Sequence, residues 1–264
     1  MDNAGKFTGR AAVYAQGRPG YPVALFDLLT EEVCGEGCRM ADVGSGTGIL
    51  SRALLDRGWT VYGVEPNEDM RHEAERALGG FPRFHSVAGT AEQTGLADGS
   101  VDVVTAAQAF HWFDAEAFGR ECRRILTPGG QVVLIWNSRR EDSPAVQEEG
   151  RIHRAYCPAF RGFSGGMPDM EETIGAFFKR RFRVCRFSHE LSYTREQYVR
   201  RMLSSSYSLG ENEENRHVWL EELNGLFERF QSDGKIEIPN ETITYMGALS
   251  SSPGPLITGM GNSR

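Results

Sequence analysis

The segment Asp42-Val43-Gly44-Ser45-Gly46-Thr47-Gly48 combines residue types and spacing that could do chemistry. Its alternating glycines let the backbone turn sharply and approach a ligand with no Cβ in the way. A short apolar run precedes the loop and a helical pattern follows it, so unpaired N–H groups at the helix start would face whatever the loop holds. Glu65 stands 21 residues after Gly44, at the end of a second apolar run. An acid there can accept hydrogen bonds from both ribose hydroxyls of a nucleoside. Its other possible task is to cap the helix that opens near Asn67.

Two nucleoside cofactors compete for this arrangement. A dinucleotide fingerprint asks for a small third residue so that helix and strand pack closely. Here that position is Ile49, although Gly44 and Gly46 fit. Asp42 would repel a pyrophosphate, but it suits a cofactor carrying an amino group and a sulfonium. The loop therefore favours S-adenosylmethionine over NAD. An NAD-dependent oxidoreductase is the alternative reading, and a non-catalytic S-adenosylmethionine-binding protein is another.

Positioning these residues requires alternating strands and helices. Strands are predicted over 39–43, 60–65, 84–88, 101–107 and 131–136, and helices over 49–57, 68–78 and 115–126. Gly79-Gly80 and Pro128-Gly129-Gly130 act as stops. This alternation implies right-handed βαβ units and a mainly parallel sheet covered on both faces. Regularity weakens after about residue 140. Helices are predicted over 144–156, 194–203 and 218–230, a loop or lid over 158–169, and strands over 182–191 and 235–245. Pro239 points to an edge or a bulge in the last strand. The Gly, Ser and Pro content of 251–264 predicts a disordered tail.

Composition narrows the partners. The net charge of -7 gives no general attraction to nucleic acid. Arg180, Arg181, Arg183 and Arg186 read as a solvated edge. Five cysteines without a Cys-x-x-Cys pair argue against a disulfide framework or a zinc site, so free thiols are expected and no metal is assigned. Neither a signal-peptide pattern nor a membrane-length apolar stretch is visible, and a cytoplasmic location is expected.

Four segments, in order, resemble the motifs of class I S-adenosylmethionine-dependent methyltransferases. They are Ala41 to Gly48; Val64-Glu65-Pro66-Asn67 with Met70; Gly89-Thr90-Ala91-Glu92 followed by Leu96 to Asp102; and Leu126-Thr127-Pro128-Gly129-Gly130. Together they cover about residues 38–137. Tyr14, Arg18-Pro19-Gly20-Tyr21-Pro22 and Gln108 to Asp114 are similar, more narrowly, to small-molecule enzymes related to trans-aconitate methyltransferase. The Tyr193 region and the strand from Ile238 to Tyr245 resemble the same group.

The resemblance implies an α/β, Rossmann-like sheet of seven mainly parallel strands with helices on both faces. Its last strand would be antiparallel, and a helical insertion would serve as lid. One domain over 1–250 is expected, with the cofactor half near 38–137 and acceptor or lid elements at 1–30 and about 140–235. Gly44, Ser45, Gly46 and Gly48 would lie under the cofactor, with Asp42 near its amino-acid part. Glu65 would hold the ribose. Pro66 and Met70 would line an adenine face, and Ala91 with Glu92 its edge. Gln108 would sit beside the methionine moiety, and Tyr14, Arg18 and Tyr21 would form a lid.

Methyl transfer from a sulfonium is an in-line displacement that depends mainly on placement and water exclusion. Phe110, Trp112 and Tyr14 are aromatic candidates for a face near the sulfonium, with core packing as the other reading of each. The acceptor is expected to be a small molecule methylated on a carboxylate or hydroxyl oxygen. His111, with an ordinary pKa of about 6.5, is the candidate base; its other reading is a structural histidine in the turn after the fourth strand. A carboxylate needs no base but would want an arginine, from Arg18 or from residues 151–163. The expected assembly is a monomer or homodimer.

Overall fold

The computed structural model describes residues 18–163 and 170–249. Tyr14, the 251–264 tail and part of the 158–169 loop lie outside them. The chain runs α1 (Val23–Glu32), β1 (Arg39–Val43), α2 (Ile49–Asp56), β2 (Thr60–Val64), α3 (Glu68–Leu78), β3 (Phe84–Val87) and β4 (Val101–Ala107). A short 3-10 turn, Phe110–Trp112, follows. Next come α4 (Ala115–Ile125), β5 (Leu126–Arg139), α5 (Pro144–Tyr156), α6 (Met170–Phe177), β6 (Arg183–Thr194), α7 (Arg195–Leu203), α8 (Arg216–Phe230) and β7 (Lys235–Gly247).

The seven strands form one sheet in the order β3-β2-β1-β4-β5-β7-β6. β1 pairs in parallel with β2 and β4, and β4 with β5. β7 runs antiparallel to both β5 and β6. This is the mainly parallel, Rossmann-like sheet with an antiparallel last strand that the motifs imply. Strand order reverses between β1 and β4, so a crevice opens beyond their carboxyl ends, where open α/β sheets bind ligands.

Alternation along the strands divides two cores. Val104, Ala106, Val132, Leu134 and Trp136 face one side, with Phe118 and Ile125 of α4 and Ile174 of α6. Val103, Val133 and Ile135 face the other, with Leu25 and Leu29 of α1 and Leu50 and Leu54 of α2. A third core unites α5, α7 and α8 with Ile236 and Ile238 of β7. This cap builds the region after residue 140.

Three expectations are corrected. Cys34 and Cys38 are joined by a disulfide, with Cα atoms 5.6 Å apart. The intervening turn, with Gly37 at φ +75, brings a Cys-x-x-x-Cys pair together. Cys122, Cys157 and Cys185 are free thiols. Second, Pro239 lies in a strand flanked on both sides. Its carbonyl accepts from the Arg140 N–H at 2.9 Å, just where β5 ends, so its missing donor faces a neighbour that has run out. Third, α1 and α6 form where no helix is predicted. Among the described residues, no helix is long and apolar enough to cross a membrane, and no acid, histidine and cysteine group could hold a metal.

Candidate functional site

A cavity of about 420 Å³ lies beyond the carboxyl ends of β1, β2, β4 and β5, closed on its far side by the cap. Arg18, Tyr21, Asp42, Gly44, Ser45, Gly46, Glu65, Pro66, Met70, Ala91, Glu92, Gln108 and His111 all line it. Gly48 does not. It sits behind the loop at φ +83 as the residue before α2, and a Cβ there would come within 2.6 Å of Leu78. Its glycine serves helix packing. Gly46, also at positive φ, has nothing within 4 Å of a built Cβ. It is the loop glycine whose missing side chain leaves ligand space.

The loop end of the cavity is acidic. Asp42 accepts hydrogen bonds from Ser51 at 2.6 Å and Thr105 at 3.3 Å. Burial still pushes its pKa up to about 6, and nearby Glu65 adds to the rise. Glu65 accepts from the N–H groups of Gly46 and Asn67, each at 2.9 Å. It thus ties the glycine loop to the end of β2. Burial raises its pKa against those two donors. Asn67 caps α3 by accepting from the Met70 N–H at 3.0 Å. Each Glu65 oxygen keeps a lone pair, so clamping the loop and receiving a ribose are compatible. The Thr47 hydroxyl, beside them, is buried and unpartnered on the cavity wall.

The walls between the two ends come from β4 and β5. Gln108 adopts φ +55, a strained conformation for a residue with a Cβ. Its amide donates to the Asn137 carbonyl at 3.0 Å, while Asn137 donates to the Gly20 carbonyl at 2.9 Å. The His111 and Trp112 rings lie 4.6 Å apart on the 3-10 turn, tilted 47° to each other. Phe110 is 2% exposed, packs on Phe118, Trp136 and Phe177, and does not line the cavity. It is core. Glu92 lines the cavity while accepting from the Asp114 N–H at 3.0 Å.

The cap end is basic, and it is where the sequence reading falls short. Arg139, Phe163, Arg201, Ser205, Ser206 and Tyr207 line it, and no arginine of 151–163 does. Arg139, at the end of β5, pairs with fully buried Glu149 at 2.8 Å and lies 4.4 Å over the Phe163 ring. Burial is the largest influence on Glu149 and opposes its ionisation, but the Arg139 charge, the His153 hydrogen bond and the nearby Arg201 together hold the carboxyl below its usual range. Trp219 donates its N–H to His153 Nδ1 at 3.2 Å, which leaves Nε2 to donate to Glu149 at 3.3 Å. Burial pushes His153 down, so it is neutral. Arg18 reaches across to donate to the Ser204 carbonyl at 3.3 Å. The signal for Arg201 was its place three residues after Tyr198, on the buried face of α7.

The methyltransferase domain family matches residues 41–134. A Mycobacterium tuberculosis protein, named an uncharacterized methyltransferase, is 39% identical over 146 residues, 55% of this chain. That match spans 58% of the relative's own length. A methyltransferase-like protein of Schizosaccharomyces pombe is 28% identical over 247 residues, covering 90% of this chain and 93% of its own. A protein from Anaeromyxobacter dehalogenans, provisionally titled a type II methyltransferase, superposes with TM-score 0.61 at 25% identity over 88% of this chain and 98% of its own. One from Anabaena variabilis gives 0.62 at 23% identity over 87% and 98%.

Proposed function

From a methyltransferase domain over residues 41–134, carried in the matching Rossmann-like fold, we propose that this chain transfers a methyl group from S-adenosylmethionine to an oxygen of a small molecule. The observation that carries the reading is the acidic cradle. Asp42, Glu65, the open side of Gly46 and the unpartnered Thr47 hydroxyl converge at one end of the cavity. That donor set fits a cation attached to a nucleoside and would repel a pyrophosphate. Bound S-adenosylmethionine supplies an electrophilic methyl group on a sulfonium.

The chain's own residues then divide the work. Asp42 faces the amino-acid part, and Glu65 takes the ribose hydroxyls. Pro66 and Met70 wall an adenine face, with Ala91 and Glu92 at its edge. Gln108 is fixed by Asn137 beside the methionine part. Arg18 and Tyr21 close the mouth, with Tyr14 assigned to the same lid by resemblance alone. Trp112 offers an aromatic face to the positive sulfur. His111 is placed to take a proton from a hydroxyl acceptor; a carboxylate acceptor leaves it a wall residue. In both cases the cavity contributes chiefly by alignment and by excluding water.

Thermal melting with S-adenosylhomocysteine tests the reading. A saturable rise in melting temperature at micromolar ligand, without a rise from NADH, is the expected result. Stabilisation by NADH alone would overturn it in favour of an oxidoreductase.

A further inference from the structure

We infer that the acceptor is a carboxylic acid and that Arg201 holds its carboxylate. This rests on the methyltransferase reading and adds to it the chemistry of the second substrate. Arg201 is 6% exposed, yet it lines the cavity. Its Nη1 is buried without a hydrogen-bond partner, and no carboxylate pairs with it among the described residues. Glu149, the acid among the described residues that feels the Arg201 charge, is committed to Arg139 and to His153. The neighbours of Arg201 include two further cations, Arg139 and Arg18. Arg139 and Glu149 cancel and His153 is neutral, which leaves Arg201 without a carboxylate of its own.

A desolvated cation without a counter-charge is costly unless a ligand supplies one. The hydroxyl of Tyr207, also buried without a partner, and Ser205 lie on the same wall. They provide the polar complement that a carboxylate accepts beside a guanidinium. A planar carboxylate can accept from the flat guanidinium and from these hydroxyls together. Phe163, Trp112 and Phe113 on the intervening walls suit an apolar body. The cavity is thus polarised, acidic where the cofactor's cation belongs and basic where the acceptor enters.

The experiment has two arms. The protein is titrated with S-adenosylhomocysteine. The loaded protein is then melted with straight-chain mono- and dicarboxylic acids of two to ten carbons and with benzoate. Each acid is compared with its neutral amide, and inorganic phosphate is run alongside. At least one carboxylate is expected to raise the melting temperature where its amide does not. Arg201→Gln should weaken that acid at least tenfold while S-adenosylhomocysteine affinity stays within twofold. Arg201→Lys should retain part of the effect. Arg201→Met should melt no lower than the parent without ligands, since it removes an unpaired buried charge rather than a working ion pair. Loss of S-adenosylhomocysteine binding in the parent protein sinks both readings. Binding of it with no acid preferred over its amide, with phosphate as effective as any carboxylate, or with Arg201→Gln unchanged toward the acid, overturns the carboxylate assignment alone. So does a marked fall in the melting temperature of Arg201→Met.

Discussion

Burial sets the behaviour of Asp42. Its pKa rises from 3.8 to about 6 because desolvation outweighs the hydrogen bonds from Ser51 and Thr105. The sign follows from proton counts. Between pH 3.8 and about 6 the folded protein binds more protons than the unfolded chain, so stability without ligand falls as pH rises through that window. A bound ammonium or sulfonium favours the ionised acid and releases the proton. S-adenosylhomocysteine should therefore bind more tightly from pH 5 to 7 and level off above, as read by calorimetric titration. Asp42→Asn should flatten that profile and weaken binding about tenfold or more, as expected for losing a charge-assisted contact. Asp42 and Glu65 were legible because each stands at a strand end beside sequence-local turn residues. Arg201 was not, because its meaning depends on Arg139, Glu149 and Tyr207, which are remote in sequence. Next to Arg200 in a charged helix it reads as one more solvated arginine.

Elements carry these residues with unequal clarity. α3, β4 and α5 have the bounds their periodicity and stops predict, since Asn67, Gly79 and Pro144 punctuate them. α1 was missed because Val23 to Leu29 is almost continuously apolar and shows no stripe. β5 runs to Arg139 rather than Trp136 because β7 pairs with it that far, which only the tertiary structure reveals. α7 presents Arg201, and it begins with a capping box in which Thr194 accepts from the Gln197 N–H and the Gln197 side chain accepts from the Thr194 N–H. Thr194→Ala should cost about 1 kcal/mol by removing that cap. It should also weaken the preferred carboxylate in the melting assay while leaving S-adenosylhomocysteine affinity unchanged. Equal loss at both ligands would mean that α7 supports the whole cavity rather than its acceptor end.

At the scale of the molecule, the cap is fastened to the sheet by a buried ion pair. Arg139 ends β5, and Glu149 belongs to α5, so their 2.8 Å contact joins the cofactor half to the third core. Glu149 also accepts from His153 and, at 3.4 Å, from the Tyr198 hydroxyl of α7. Breaking such a pair costs more than never having had it, because the surviving charge stays buried. Glu149→Gln should leave Arg139 and Arg201 as two uncompensated cations and cost about 3–5 kcal/mol. At about 2–4 °C per kcal/mol for a chain of this size, that is a fall of roughly 6–20 °C in melting temperature. Arg139→Met alone should also destabilise, since Glu149 would then lack its cation. The double variant Arg139→Met, Glu149→Gln should melt well above the sum of the two losses, because neither charge is left alone. Arg201→Met points the other way, with no loss when ligands are absent. A loss at one arginine and none at the other, on one cavity wall, separates a cation that holds the cap in place from one kept unpaired for an acceptor. Additive losses in the double variant would instead show that Arg139 and Glu149 are not coupled.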